Sequence, residues 1–244
     1  HTLTAEANAN ALKMFDAAIE ADPDNAQAYA WKACTLGQAM VKGYVDKPMQ
    51  EIMPEFSNLM SSALSIDPND FECHRLQCAV NTMMGDMKAA LEHGKKAYDV
   101  NPNDPRILQQ YGEVLLKTGK TEEGCDLTLL ALEYDPIAQG QTNSDKRKSD
   151  GVFGCVLDDR PDVGLDIASG MIDRSEKVLV YSAALAVGSA GSLKNFSWLT
   201  DDLKNSDFEQ IEAAIEEMGK FDVVVQSKLK EVFLDHILPL REAA

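Results

Sequence analysis

One phrase recurs four times and constrains what this chain can fold into: Ala18-Ile-Glu-Ala-Asp-Pro23, Ala63-Leu-Ser-Ile-Asp-Pro68, Ala97-Tyr-Asp-Val-Asn-Pro102 and Ala131-Leu-Glu-Tyr-Asp-Pro136. In each, a small residue sits in the last turn of a helix. An acidic or amide residue followed by proline then ends it, because proline lacks the amide donor and clashes with the preceding turn. The last three prolines are 34 residues apart. That period belongs to stacked two-helix units, each burying its apolar face against its neighbours. The first interval, Pro23 to Pro68, is 45 residues, so this unit carries an 11-residue insertion at about 41–54. The expected architecture is all-α, a helix-hairpin solenoid. Residues 1–136 hold a half-repeat plus three repeats, and 137–244 hold degenerate hairpins that continue the array.

The helices can be placed in order. Thr4 caps a first helix running to about Ala21, with Leu12, Phe15, Ala18 and Ile19 on one face at helical spacing. Asp24-Asn25, Asn69-Asp70 and Asn103-Asp104 follow the prolines and supply acceptors for the next helix starts. Ala26 to about Val41 is helical. Gly43 and Pro48 then mark a loop, and a helix resumes near Pro54 and runs to Ile66. Phe71–Met84 and Lys88–Asn101 form one hairpin around Gly85, and Pro105–Thr118 and Glu122–Asp135 another around Gly119. Beyond Pro136 three further pairs are expected: Ser144–Leu157 with Pro161–Asp173, Lys177–Val187 with Ser192–Lys204 across Gly188–Gly191, and Phe208–Met218 with Asp222–Leu238. The last of these carries a stripe of Val225, Leu229, Val232, Phe233 and Ile237.

Within the regular repeats the small positions are specific. Counting from Phe71, Gly85 is the turn glycine, Ala90 and Ala97 are the small helix-crossing residues, and Pro102 closes the unit. Counting from Pro105, Gly112 marks a close contact, Gly119 the turn, Gly124 and Ala131 the small positions, and Pro136 the end. On these residues the chain resembles the tetratricopeptide repeat family, over about residues 10–136. Phe56, His74 and Cys78 depart from that pattern, standing where a small alanine, a tryptophan and a close-contact glycine are usual. The resemblance implies a right-handed superhelix whose first helices line a concave groove. Its groove positions fall on Gln27, Ala30, Cys34 and Gln38, then on Glu72, Arg75, Ala79, Thr82 and Met83, then on Arg106, Gln109, Glu113, Leu116 and Lys117. The partner-binding residues expected from this are Gln27, Gln38, Arg75, Met83, Arg106, Gln109, Glu113 and Lys117. Arg75, Arg106 and Lys117, set among uncharged residues, would suit an acidic or C-terminal segment, although the family's paired Lys and Asn carboxylate clamp is not reproduced.

The rest of the sequence bounds the function. The formal charge is −17, from 23 basic and 40 acidic residues. Nucleic acid and anionic membrane both require a basic footprint, so neither is an expected partner. The five cysteines, Cys34, Cys73, Cys78, Cys125 and Cys155, are odd in number and fall in helical segments, which fits free thiols and a cytoplasmic location. The least charged stretch, Val178–Leu193, is too short and polar to span a bilayer. The chain opens on His1, so a native start and any targeting signal are expected upstream.

Catalytic motifs are missing from the sequence. Gly119-Lys120-Thr121 mimics the end of a phosphate loop, but the first glycine is replaced by Val114 and the triplet lies between helices. Cys73-His74 and Cys78 lack metal-ligand spacing, and His93 and His236 have no nucleophile or acid beside them in sequence. Asn195-Phe-Ser197 is a glycosylation sequon that matters only in a secreted chain. The expectation is therefore a non-enzymatic, cofactor-free protein-interaction scaffold that holds a peptide or partner segment. The partner is a separate protein or another domain of the same polypeptide, and oligomeric state stays open. The region also resembles repeats found C-terminal to bacterial adenylate or guanylate cyclase domains and in some winged-helix activators. That implies the alternative of a regulatory, dimerisation or ligand-sensing module of a larger signalling protein.

Overall fold

The computed structural model describes residues 4–136 and 145–242. Among the described residues it is helical with no strand, and no described helix is long and apolar enough to cross a membrane. The chain divides into two compact units, the first ending at Tyr111 and the second beginning at Gly112.

The first unit contains α1 (Ala5–Ala21), α2 (Ala26–Val41), α3 (Met49–Ile66), α4 (Phe71–Met84), α5 (Met87–Val100) and the start of α6 (Pro105–Lys117). The recurring phrase is one structural event. The amide of Asp22, Asp67 and Asn101 donates to the carbonyl of Ala18, Ala63 and Ala97, closing the last turn before each proline. The next helix then takes its side-chain cap: Asn25 accepts from the Ala28 amide, Asp70 from Cys73 and Asp104 from Arg106. These bonds satisfy amides that a helix start leaves without partners. Packing runs α1 on α2, α2 on α3 and α4, and α4 on α5. Ala30, Ala33, Phe56, Met60, Ala63 and Leu76 are central to the core. The insertion folds differently from expectation. It lengthens α3, which starts at Met49 rather than near Pro54 and holds Pro54 inside it. Proline there removes one amide, whose acceptor would be the carbonyl of exposed Gln50 near the helix start.

The second unit contains the end of α6, α7 (Thr121–Tyr134), α8 (Lys146–Leu157), α9 (Pro161–Ser169), α10 (Glu176–Ala190), α11 (Ser197–Lys204), α12 (Phe208–Met218), α13 (Val223–Val232) and α14 (Leu238–Glu242). The expected helix start at Ser144 lies outside the described residues. Where a continuous Ser192–Lys204 helix was expected, a 3-10 turn at Leu193–Asn195 precedes α11. A π-helical turn at Phe233–Ile237 joins α13 to α14 and keeps Phe233 and Ile237 buried. The weakly charged stretch explains itself here. Val178 to Ala186 are all buried, because α10 packs against α8, α9, α11, α12 and α13. A helix apolar on every side needs such surroundings. It runs on through Gly188 to Ala190 and ends at Gly191, whose φ of 64° is left-handed.

Close approach governs both units. A Cβ on Gly124 would lie 2.8 Å from the Gly112 carbonyl oxygen and 2.8 Å from the Leu116 amide nitrogen, so the backbones of α6 and α7 touch there. A Cβ on Gly151 of α8 would meet only side chains, at 3.5 Å or more. Gly124→Ala should therefore destabilise the protein by about 1–3 kcal/mol through overpacking. Gly151→Ala should be neutral or stabilising by up to about 1 kcal/mol, because alanine favours the helix. Urea denaturation of both variants checks the contrast, and equal effects would contradict it.

Candidate functional site

The first unit gathers polar groups from α2, α4 and α6 into one network. The Trp31 indole donates to Gln27 Oε1 at 3.0 Å, and the Gln27 amide donates to Asp70. Glu72 is fully buried and accepts from Arg75 Nη2 at 2.5 Å and Nε at 3.2 Å. Arg106 Nη2 lies 3.3 Å from the same carboxylate and 2.6 Å from Asp104, with its guanidinium 5.3 Å from the Trp31 ring centroid. Such a pair is held by geometry and satisfied hydrogen bonds against the cost of desolvation. Burial opposes the charge on Arg75, but its hydrogen bonds and ion pair with Glu72 outweigh it and hold the pKa above that of a free arginine. Burial pushes Asp104 up, and Arg106 more than reverses this, leaving the carboxyl below its usual range. Arg75 Nη2 also reaches Cys34 Sγ at 3.7 Å, and burial raises that thiol's pKa.

Beside this network lies a cavity of about 310 Å³. Cys34, Gln38, Met40 and Val41 of α2, Met53 and Phe56 of α3, and Arg75, Leu76, Ala79, Val80 and Met83 of α4 line it. Its walls are almost wholly apolar. Val41 and Met83 are 75% and 55% exposed, so large apolar side chains stand at its edge uncovered by any element among the described residues. The lengthened α3 brings Met53 and Phe56 to this place.

The residues expected to bind a partner are thus only partly brought together. Gln27, Arg75 and Arg106 share the buried network, and Gln38, Arg75 and Met83 share the cavity. Gln38 is also tied to α1, its amide oxygen accepting from Asn8 at 3.4 Å. Gln109 is buried, as are Ala30 and Leu116. Glu113 and Lys117 belong to the second unit, where they pair at 2.5 Å and Lys117 Nζ sits 5.4 Å from the Phe221 ring centroid. The expectation of cations among uncharged neighbours is corrected. Each has a carboxylate partner, and helical spacing supplies two of them one turn earlier, Glu72 for Arg75 and Glu113 for Lys117. Met53 falls in the 41–54 insertion, whereas Met40, Leu76 and Val80 line the cavity without a signal of their own in the sequence. All five cysteines are free thiols, and no group of three or more metal-ligating side chains occurs among the described residues.

The chain has similarities among known structures. It is similar to a chain of the Cut9–Hcn1 hetero-tetramer of the APC/C, at 12% identity and a TM-score of 0.56, over 93% of this chain and 40% of that one. It also aligns with a tetratricopeptide repeat protein from Parabacteroides merdae at 14% identity and a TM-score of 0.48, over 97% of this chain and 82% of that one. The chain therefore spans about two fifths of the length of its Cut9–Hcn1 counterpart. No family model and no curated protein matches the sequence. The fold is that of the tetratricopeptide repeat, an all-α helix-hairpin solenoid.

The buried network gives a direct expectation. Glu72→Gln leaves two guanidinium groups without their shared counter-charge and should destabilise the protein by about 3 kcal/mol or more. Chemical denaturation measures this, and a loss of well under 1 kcal/mol would show that the carboxylate does not hold the network.

Proposed function

We propose that this chain is a protein-interaction module, not an enzyme, and that its first unit holds a linear segment of a partner protein. The observation that carries this is the apolar cavity between α2, α3 and α4, with exposed Val41 and Met83 at its edge. Its size suits one or two aliphatic or aromatic side chains. Met40, Met53 and Met83 have the flexible, polarisable side chains that adapt to varied apolar partners. Arg75, the guanidinium at the cavity, is already paired with buried Glu72, so apolar shape rather than charge selects the anchor. Gln38 stands at the same edge as a hydrogen-bonding group for the partner's backbone. The repeat fold supports this reading, since stacked helix hairpins offer extended binding surfaces. The structural relative comes from a hetero-tetramer.

Selection of a random peptide library on the wild-type protein tests it. Enriched peptides should share an aliphatic or aromatic anchor. Ala79→Phe, which places a ring in the cavity, should weaken their binding about tenfold or more, equivalent to about 1.4 kcal/mol. Met14→Glu, at an exposed site on α1, should leave it unchanged. Peptides that bind Ala79→Phe as well as wild type would reject the cavity as the docking site.

A further inference from the structure

His74 on α4 and His93 on α5 meet through their ring nitrogens. Nδ1 of one lies 3.0 Å from Nδ1 of the other, and the ring centroids are 5.2 Å apart. His74 Nε2 lies 3.0 Å from the carbonyl oxygen of Pro68. A carbonyl can only accept, so His74 carries its proton on Nε2 and presents a bare Nδ1 to His93. His93 therefore donates its Nδ1–H to His74. The contact uses one proton between two neutral rings. A proton gained at His93 Nε2 leaves it in place, whereas one gained at His74 Nδ1, the atom that accepts from His93, breaks it. Helix α5 has little slack beside this point. A Cβ on Gly94 would lie 2.6 Å from the Tyr111 ring and 3.1 Å from Cys78 Sγ.

We propose that the His74–His93 contact is a proton-operated latch that holds α5 against α4 and releases the hairpin as the medium turns mildly acidic. Burial, the largest influence, lowers the pKa of both rings. The charges acting on the pair are Lys96 and Glu92 of α5, and Asp67 and Asp70 in the turn from α3 to α4. Asp70 is itself bound to uncharged Gln27 of α2. Lys96 disfavours protonation of both rings. The two aspartates and Glu92 favour it, without overcoming burial. The folded hairpin thus keeps both rings neutral at a pH where an open chain binds protons. Its stability is complete above about pH 6.5, the ordinary histidine value, and is lost as pH falls below it. Because α4 also carries Arg75, Leu76 and Met83, release would alter the cavity wall. That consequence rests on the binding role proposed above, whereas the latch does not.

Amide hydrogen exchange of the full chain, followed by mass spectrometry and corrected for intrinsic rates, tests the latch without any ligand. Between pH 7.5 and 5.5 the peptides covering α5 should exchange about tenfold faster in wild type. In His93→Gln the glutamine amide can donate to the bare His74 nitrogen or accept from the protonated one, so acid no longer breaks the contact. The acceleration should fall to about twofold or less. His93→Asn, whose shorter side chain cannot span the gap, should exchange fast at both pH values. Equal acceleration in wild type and His93→Gln would overturn the proposal, as would no acceleration in wild type.

Discussion

The structure depends on helices lying close enough for their backbones to touch. At Gly112 and Gly124 there is no room for a methyl group between α6 and α7. Ala63, Ala97 and Ala131 are all fully buried. These alanines do two things at once. Each gives its carbonyl to the residue that ends its helix, and each buries its small side chain completely. Helix ending and helix packing are thereby tied to the same residue, so the phrase repeats as a whole rather than residue by residue.

What the sequence shows well follows from this coupling. Proline, cap and small residue act over a few positions, and their signatures stay local. The edges of α2, α4 and α7 fall within a residue of where those signatures put them. What the sequence shows poorly depends on three or more elements meeting. Helix α3 starts at Met49 and not near Pro54 because the amide that proline lacks would bond at an exposed first turn, where its loss costs little. The cavity needed α2, α3 and α4 together, and no motif within one helix announces it. Phe56 hinted at it, since a ring in a small-residue position has to be accommodated somewhere.

The network around Glu72 shows how a groove position can be claimed from within. Arg75 and Arg106 look like partner-binding cations along the chain. In the fold they converge on one fully buried carboxylate, and Arg106 also stacks over Trp31. Their charges are balanced internally, which moves the distinguishing feature of the surface from charge to apolar shape. The cavity takes its polar end from this network through Arg75 and its apolar body from α2, α3 and α4 together.

Methionine methyl NMR tests the binding role most directly. With methyl-labelled methionines, a peptide carrying an aliphatic or aromatic anchor should shift the signals of Met40, Met53 and Met83, which line the cavity. Met14 and Met84, exposed and outside that lining, should stay where they are. Saturable binding that leaves the three cavity methyls unmoved, or that shifts Met14 and Met84 instead, would contradict the account.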